Sequence, residues 1–319
     1  MAQRIVVTGG AGFIGSHFVR HVFENYADYR PLVVDALTYA GSRENLAAIP
    51  SNGYDFIKAD ITNLPFMSAI LRKDDLVVHF AAESHVDRSI AEPLIFTQTN
   101  VFGTHALLEA GKRAKIARFL YVSTDEVYGS LDPTSPSSRE TDLLRPRSPY
   151  SASKAGGEHL VSAYHATFGM DTVITRGSNT YGPRQYPEKI IPLFCRQLVA
   201  GKKVPVYGTG QNVRDWMHVQ DHCAGIDHIL HQGASGEIYN LGGGTEITNL
   251  ELTRRLLQAF GKGEEAISFV EDRKGHDLRY SLNTEKAQAL GWSPRVSFEQ
   301  GLTETVRWYR QAFKADKGE

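Results

Sequence analysis

Short apolar runs recur through the first 176 residues, near 4–8, 32–35, 54–58, 76–80, 118–123 and 171–176, and helix-like segments separate several of them. Strand and helix in that alternation predict a doubly wound parallel sheet covered on both faces, an α/β architecture. After Arg176 the pattern changes to Gly- and Pro-punctuated stretches, among them Tyr181-Gly182-Pro183 and Tyr207-Gly208-Thr209-Gly210, with helix-like segments near 248–260 and 299–313. A first domain over 1–176 and a smaller substrate-binding lobe over 177–319 are therefore expected. Strand-like Glu237-Ile238-Tyr239-Asn240-Leu241 implies that the lobe is discontinuous and that the chain returns to the first domain near 213–241. Lys314 to Glu319 read as a frayed tail.

Composition narrows the classes. Lys and Arg total 35 against 36 Asp and Glu, and no basic block is long enough to follow a nucleic-acid backbone, so nucleic acid is not an expected partner. Cys195 and Cys223, the two cysteines, lack metal-type spacing, so no metal is expected, and two thiols in 319 residues suggest a reducing compartment. The first residues pass directly into the strand-like Arg4-Ile5-Val6-Val7-Thr8, and no apolar run reaches membrane-spanning length. The expectation is a cytoplasmic protein with no membrane partner.

Gly10-Ala11-Gly12-Phe13-Ile14-Gly15 lies between a strand ending at Thr8 and a helix running through Val19 and Val22. That is the setting a G-x-G-x-x-G turn needs to bind a dinucleotide: the glycines admit a tight turn and the pyrophosphate, and the helix N-terminus supplies N–H donors. Asp35 ends Leu32-Val33-Val34-Asp35, 20 residues past Gly15. A carboxylate there can bind the adenosine ribose hydroxyls and repels a 2′-phosphate, which predicts a Rossmann-type site for NAD rather than NADP. Asp60, after the strand 54–58, either faces the adenine or is a solvated strand end.

Tyr150-Ser151-Ala152-Ser153-Lys154 places a phenol and an ammonium at i and i+4, on one face of a helix that Ser148 and Pro149 start and Gly169 stops. The ammonium can then stabilise a phenolate. Spacing alone does not suffice, since Tyr54 and Lys58 share it within a strand, where they stand about 13 Å apart. Asp125 and Glu126 follow the strand at 118–123. They can serve one pocket only if that strand ends at about Thr124, and close buried carboxylates then separate into an acid and a base. A solvated acidic turn is the alternative.

At these residues the sequence resembles the extended short-chain dehydrogenase/reductases, and within them the dTDP-glucose 4,6-dehydratases, over nearly its whole length. The shared marks are 8–15, Leu37-Thr38-Tyr39-Ala40-Gly41, the stretch 81–89, Ser123 to Gly129, Tyr150 to Lys154, 187–193, Val213-Arg214-Asp215-Trp216 and 275–280. The glycine turn and the Tyr/Lys pair mark the superfamily; the Asp-Glu pair marks the dehydratase branch. The resemblance implies catalytic roles for Thr124, Asp125, Glu126, Tyr150 and Lys154. It implies NAD contacts from Gly9, Gly12, Phe13, Ile14, Gly15, Asp35, Ala36, Leu37, Thr38, Asp60, Ile61, Ala81, Ala82 and Thr99, together with Tyr150 and Lys154. The sugar-nucleotide contacts it implies are Ser84, His85, Thr124, Asn179, Lys189, Pro205, Val206, Tyr207, Arg214, Asn249, Arg273, His276 and Tyr280.

Gly177, Thr180, Ala36 and Lys274 depart from the pattern of these enzymes, where Cys, Asn, Lys and Pro are usual. None of these changes removes a catalytic group. The activity implied is dehydration of a nucleoside-diphosphate glucose, dTDP-glucose first, to its 4-keto-6-deoxy sugar, by a homodimer built on helices near 93–113 and 149–168. A sugar-nucleotide 4-epimerase, a glucuronate decarboxylase and a non-catalytic NAD-binding sensor are the alternatives.

Overall fold

The computed structural model describes residues 3–315. Strands β1 (Gln3–Thr8), β2 (Tyr29–Asp35), β3 (Asp55–Lys58), β4 (Leu76–His79), β5 (Arg118–Thr124) and β6 (Thr172–Gly177) match the predicted runs within a few residues. With a later strand, numbered β10 below, they form one seven-stranded sheet in the order β10-β6-β5-β4-β1-β2-β3, and every pairing in it is parallel. Helices α1 (Phe13–Asn25), α2 (Leu64–Ile70), α3 (Val86–Ala91), α4 (Pro93–Phe96), α5 (Thr104–Ala114) and α6 (Pro149–Phe168) occupy the connections. Successive side chains of each strand divide between two cores. Ile5, Val7, Val33, Val78 and Leu120 pack under α1, whereas Val6, Leu32, Val34, Val77 and Phe119 pack under α2, α5 and α6. This is why the strands read as unbroken apolar runs.

The helix expected near 93–113 is not regular. Between α4 and α5, residues Thr97–Gly103 form a π-helical segment, a wide-turn geometry rare outside functional regions. Helix α6 is regular: Ser148 and Ser151 cap each other reciprocally, Pro149 opens the first turn, and Gly169 closes the helix at φ 64°.

The second lobe follows. Strands β7 (Asn179–Tyr181), β8 (Val204–Tyr207) and β9 (Val213–His218), with α7 (Ile190–Val199), lie in it, and β9 pairs with β7 rather than with the large sheet. The chain returns to the first core with α8 (Val219–Gln232), which packs on α1, and with β10 (Ile238–Leu241), which extends the large sheet beside β6. Strand β11 (Glu246–Thr248) pairs with β9, and β12 (Ile267–Val270) with β8. Helices α9 (Asn249–Ala259), α10 (Glu285–Ala289) and α11 (Phe298–Ala315) complete the described chain. Of the expected tail, Lys314 and Ala315 belong to α11, and 316–319 lie outside the described residues. Among the described residues no helix is long and apolar enough to cross a membrane.

Candidate active site

One cavity runs along the C-terminal edge of the large sheet. It is lined by Gly9, Gly12, Phe13, Ile14, Gly15, Asp35, Ala36, Thr38, Asp60, Ile61, Ala81, Ala82, Thr99, Tyr150 and Lys154, all residues expected at the cofactor. Leu37 is the exception, a residue at φ 53° whose side chain packs toward the core under α1. Gly9 has φ 70°, and a Cβ there would stand 2.6 Å from the Ala81 backbone nitrogen, so only glycine fits. Helix α1 starts at Gly12 without a side-chain cap, which leaves its first amides to a ligand in the cavity. Asp35 accepts from the Ala11 amide at 2.9 Å and the Leu37 amide at 2.8 Å. Burial pushes its carboxyl up, and those two bonds oppose the shift. The glycine cradle, the uncapped helix start and the strand-end carboxylate fit a dinucleotide diphosphate and its ribose. Asp60 is more exposed, and one carboxylate oxygen caps Thr62 at 2.8 Å.

The chemistry-bearing residues converge at the end of β5. That strand stops at Thr124, and Asp125–Tyr128 form a single 3₁₀ turn in which Thr124 Oγ1 accepts from the Glu126 amide at 3.3 Å. Asp125 and Glu126 therefore line the same cavity instead of pointing to opposite faces. Burial, with Glu126 and Asp215 next, holds the Asp125 carboxyl well above the usual carboxylate range, and its Oδ2 has no partner among the described residues. Burial also raises Glu126, opposed by the positive charges of Arg273, Lys189 and Arg214. Burial thus raises both carboxyls, Asp125 the more strongly, and only Glu126 has cations as the main opposing charges, an asymmetry that suits Asp125 to the acid and Glu126 to the base.

Tyr150 and Lys154 open on the same cavity, and the Thr124 hydroxyl is near enough to the Tyr150 phenol to favour its anion. Lys154 donates to the Val122 carbonyl at 2.8 Å and lies 4.1 Å over the Tyr121 ring. Burial pushes Tyr150 well up and Lys154 down to about 7, so the protein alone holds a protonated phenol. A phenolate needs positive charge in addition to Lys154. Behind the site, Glu158, one turn beyond Lys154, meets Arg176 in a buried ion pair at 2.7 Å, and Arg176 also donates to the Tyr128 hydroxyl at 2.7 Å.

Of the residues expected at the sugar nucleotide, Ser84, Thr124, Asn179 and Lys189 line this cavity. The Lys189 ammonium donates to the Ser84 carbonyl at 2.7 Å, and His85 lies between Asp87 and Glu188 at 3.8 and 3.7 Å. Arg214 is buried, bonded to the Val213 and Asp277 carbonyls and 4.3 Å over the Tyr280 ring. Tyr207, Arg273 and His276 form a neighbouring group with Asp87 and Asp272. Arg214 and Arg273 are near enough for their charges to reach Glu126, which places this group beside the catalytic turn. Pro205 is partly buried on β8, and Asn249 accepts from Thr253 in the first turn of α9. The Val206 side chain packs in the core of the second lobe, leaving its backbone as the part that a ligand could reach.

The sequence did not single out Ser123, Ser178, Gln185, Tyr186, Glu188 or His222, which also line the cavity. His222 lies in an ordinary amphipathic helix 45 residues beyond Gly177, and no local pattern brings the two together.

A parallel doubly wound sheet with this glycine cradle, a carboxylate ending β2 and a Tyr-x-x-x-Lys helix defines the extended short-chain dehydrogenase/reductase class. Within it, the family model described as GDP-mannose 4,6 dehydratase matches residues 6–305, and the chain belongs to that family. A dTDP-glucose 4,6-dehydratase of Actinoplanes sp. is 52% identical over 97% of this chain and 98% of its own length. The crystal structure of DesIV, a dTDP-glucose 4,6-dehydratase from Streptomyces venezuelae with NAD and dTDP bound, superposes with a TM-score of 0.94 at 51% identity, covering 97% of each chain. The UDP-glucose 4-epimerase of Thermotoga maritima superposes with a TM-score of 0.89 at 32% identity, covering 97% of this chain and 99% of its own.

Proposed function

We propose that this chain is a hydro-lyase that holds NAD and converts dTDP-glucose to its 4-keto-6-deoxy sugar. The observation that carries the reading is the turn at Asp125 and Glu126, which brings two buried carboxyls into one cavity with Tyr150 and Lys154, Asp125 raised the more strongly and Glu126 lying among cations. An epimerase needs the Tyr/Lys pair alone; a dehydratase needs an acid and a base besides. The dTDP-glucose 4,6-dehydratase relatives support the choice of nucleotide and sugar.

Bound NAD supplies a hydride acceptor at C4, a donor at C6 and positive charge, so oxidation and reduction cancel and the net reaction is loss of one water. Tyr150 takes the proton from O4, with Lys154 helping to hold the phenolate, and Thr124 orients O4 through its hydroxyl. The ketone so formed acidifies C5. Glu126 removes the C5 proton while Asp125 gives its proton to O6, which leaves as water. Return of the proton from Glu126 to C5 completes the product. Arg214 and Arg273 offer planar guanidinium donors to the diphosphate.

Incubation with dTDP-glucose, UDP-glucose and GDP-mannose, followed by NMR, tests this. The expected outcome is a 4-keto-6-deoxy sugar from dTDP-glucose, and with C4-deuterated substrate the label should appear at C6. A C4-inverted product would make the chain an epimerase, and no turnover on the panel would return it to a sensor.

The assembly we propose is a homodimer through the outer faces of 86–114 and α6. Leu94 there is 82% exposed, Phe102 55% and Phe168 52%, apolar side chains spread along these two helical stretches that a second copy would cover. Solution scattering at micromolar concentration should give a dimer mass; a monomer mass would refute the assembly. We place the activity in the cytoplasm, consistent with the free, buried Cys195 and Cys223, and cell fractionation checks it.

A further inference from the structure

A segment of the second lobe crosses the cavity and is tied down along its length. Residues 182–189 join β7 to α7, and Gln185, Tyr186, Glu188 and Lys189 of this segment line the cavity. Near its start the Pro183 carbonyl accepts from Nε2 of His17, one turn into α1, at 2.9 Å. Tyr309 of α11 donates to the Gln185 carbonyl at 2.6 Å. At its end the Lys189 ammonium donates to the Ser84 carbonyl at 2.7 Å. The segment therefore runs as a strap from α1, whose uncapped N-terminus faces the cavity, to Ser84 in the cavity wall.

Tyr39 meets this strap from the first domain. It belongs to the loop after β2, which folds back on the strand-end carboxylate: a Cβ at Gly41 would stand 2.7 Å from Asp35 Oδ1. Tyr39 and Tyr186 both line the cavity, one from each lobe. Their rings meet edge-on with centroids 5.5 Å apart, and the Arg88 guanidinium of α3 covers the Tyr39 face at 3.6 Å. The Tyr39 hydroxyl is near enough to Ser84, and to Glu188 of the strap, for each to act on its acidity. Burial pushes that phenol up to about 12, so it stays a neutral donor beside the Glu188 carboxyl. Tyr186 is 41% exposed, so the junction lies at the surface and can part without either core opening.

We propose that Tyr39 and Tyr186 fasten the strap over bound NAD and set the rate at which the cofactor leaves and enters. The inference rests on the reading that this cavity holds NAD. A dinucleotide reaching from Asp35 past the start of α1 to Tyr150 passes beneath the line from His17 to Ser84, so its departure requires the two rings to separate. The reaction has a use for such a barrier. Hydride taken from C4 must return to C6 of the same sugar, and a cofactor lost in its reduced form would leave the cycle unfinished. Neither tyrosine takes part in the proton and hydride transfers, so their effect falls on retention.

A barrier and a contact differ kinetically. Weakening a barrier speeds release and entry alike and leaves the dissociation constant in place, whereas losing a contact to the ligand speeds release alone. The purified holoprotein is chased with excess ¹⁵N-labelled NAD, bound dinucleotide is released by acid at intervals, and mass spectrometry gives the release rate. The fraction that keeps NAD on dilution gives the dissociation constant. Tyr186→Ala and Tyr39→Leu should each speed release by about tenfold, the weight of one aromatic contact, with the dissociation constant little changed. Tyr186→Phe keeps the ring and should keep the slow release. Release at the unmodified rate in Tyr186→Ala would overturn the proposal, and so would faster release matched by an equal rise in the dissociation constant. Tyr186 stands at the surface, so its replacement decides the matter even where Tyr39→Leu fails to fold. An unmodified protein that holds no dinucleotide and takes none up would overturn the NAD reading instead.

Discussion

Neutralising Glu158 is expected to damage both stability and the acid–base balance of the site. The Glu158 and Arg176 side chains are 2% and 3% exposed, and three N–O contacts at 2.7, 3.1 and 3.1 Å join them. Arg176 has further acceptors in the Tyr128 hydroxyl at 2.7 Å and the Glu140 carbonyl at 3.3 Å, but among the described residues no second anion lies within ion-pair distance. Glu158→Gln keeps size and one acceptor yet leaves the guanidinium charge uncompensated, which costs about 3–5 kcal/mol when a buried pair is broken. The second consequence falls on Lys154. Burial has brought its pKa to about 7, and the Glu158 charge is what opposes a further fall. Without that charge the ammonium is lost at lower pH, so the alkaline limb of kcat/KM should move toward acid. Urea unfolding at saturating NAD, for the unmodified protein, Glu158→Gln, Arg176→Met and the double variant, gives the coupling directly. The double should cost far less than the two singles together. A loss under about 1 kcal/mol in Glu158→Gln, or strictly additive singles, would refute the buried-charge argument. An alkaline limb that stays in place would refute the link to Lys154.

The acid and base can be separated by exchange. Glu126→Gln should slow uptake of solvent deuterium at C5, and Asp125→Asn should slow loss of O6, each by about 10²- to 10⁴-fold, both read by NMR; unmodified rates in both would return the pair to a solvated turn. Asp35→Ala should lower the NAD content of the purified protein and weaken discrimination against NADP, measured after acid release. The effect has two parts, because Asp35 also ties the Ala11 and Leu37 amides. On the far side of the sheet, His231 is raised by its bond to Asp227, which also accepts from His21 and Tyr26. A folded pKa above the unfolded value means that His231 stabilises fully below about pH 6.5 and ceases to as pH rises through the folded value. The melting temperature of His231→Gln should therefore fall short of the unmodified protein's at pH 6 and approach it at alkaline pH; a constant gap would count against the charge.

The sheet was legible because a parallel strand covered on both faces must be apolar at consecutive positions, and six such runs lie in the first 176 residues. Asp35, Thr124 and the glycine turn were legible because they end or follow strands, where an α/β sheet places its ligands. Partnerships across the fold were not. Arg176, Glu158, Tyr128 and Asn240 meet from β6, α6, the 3₁₀ turn and β10, and each alone reads as a polar residue near a strand or helix. Tyr150 and Lys154 were legible as a pair, but not the Val122 carbonyl that takes the ammonium, because strand and helix are joined only by packing. That α8 packs on α1 has no signal within α8 itself; only the strand-like 237–241 announces that the chain turns back. Leu37 shows the limit at a single position, since its left-handed backbone is unusual for a leucine and nothing in its neighbours announces it.

The wide turn at Thr97–Gly103 fixes the rotational phase of a continuous rod. Inward, Thr99 meets the cofactor cavity, and Asn100 grips both backbone groups of Glu83 and the Ser153 hydroxyl at 2.8 to 2.9 Å. Outward, Leu94 just before the segment and Phe102 within it stand in solvent. In an α-helix each residue advances about 100°, so removing one to restore regular pitch would swing the two ends by that angle relative to each other. Either the grip on Glu83 and Ser153 or the outer apolar face would then be misaimed. Substitutions in this stretch should be tolerated side chain by side chain, whereas a change of length by a single residue should not, whatever its chemistry.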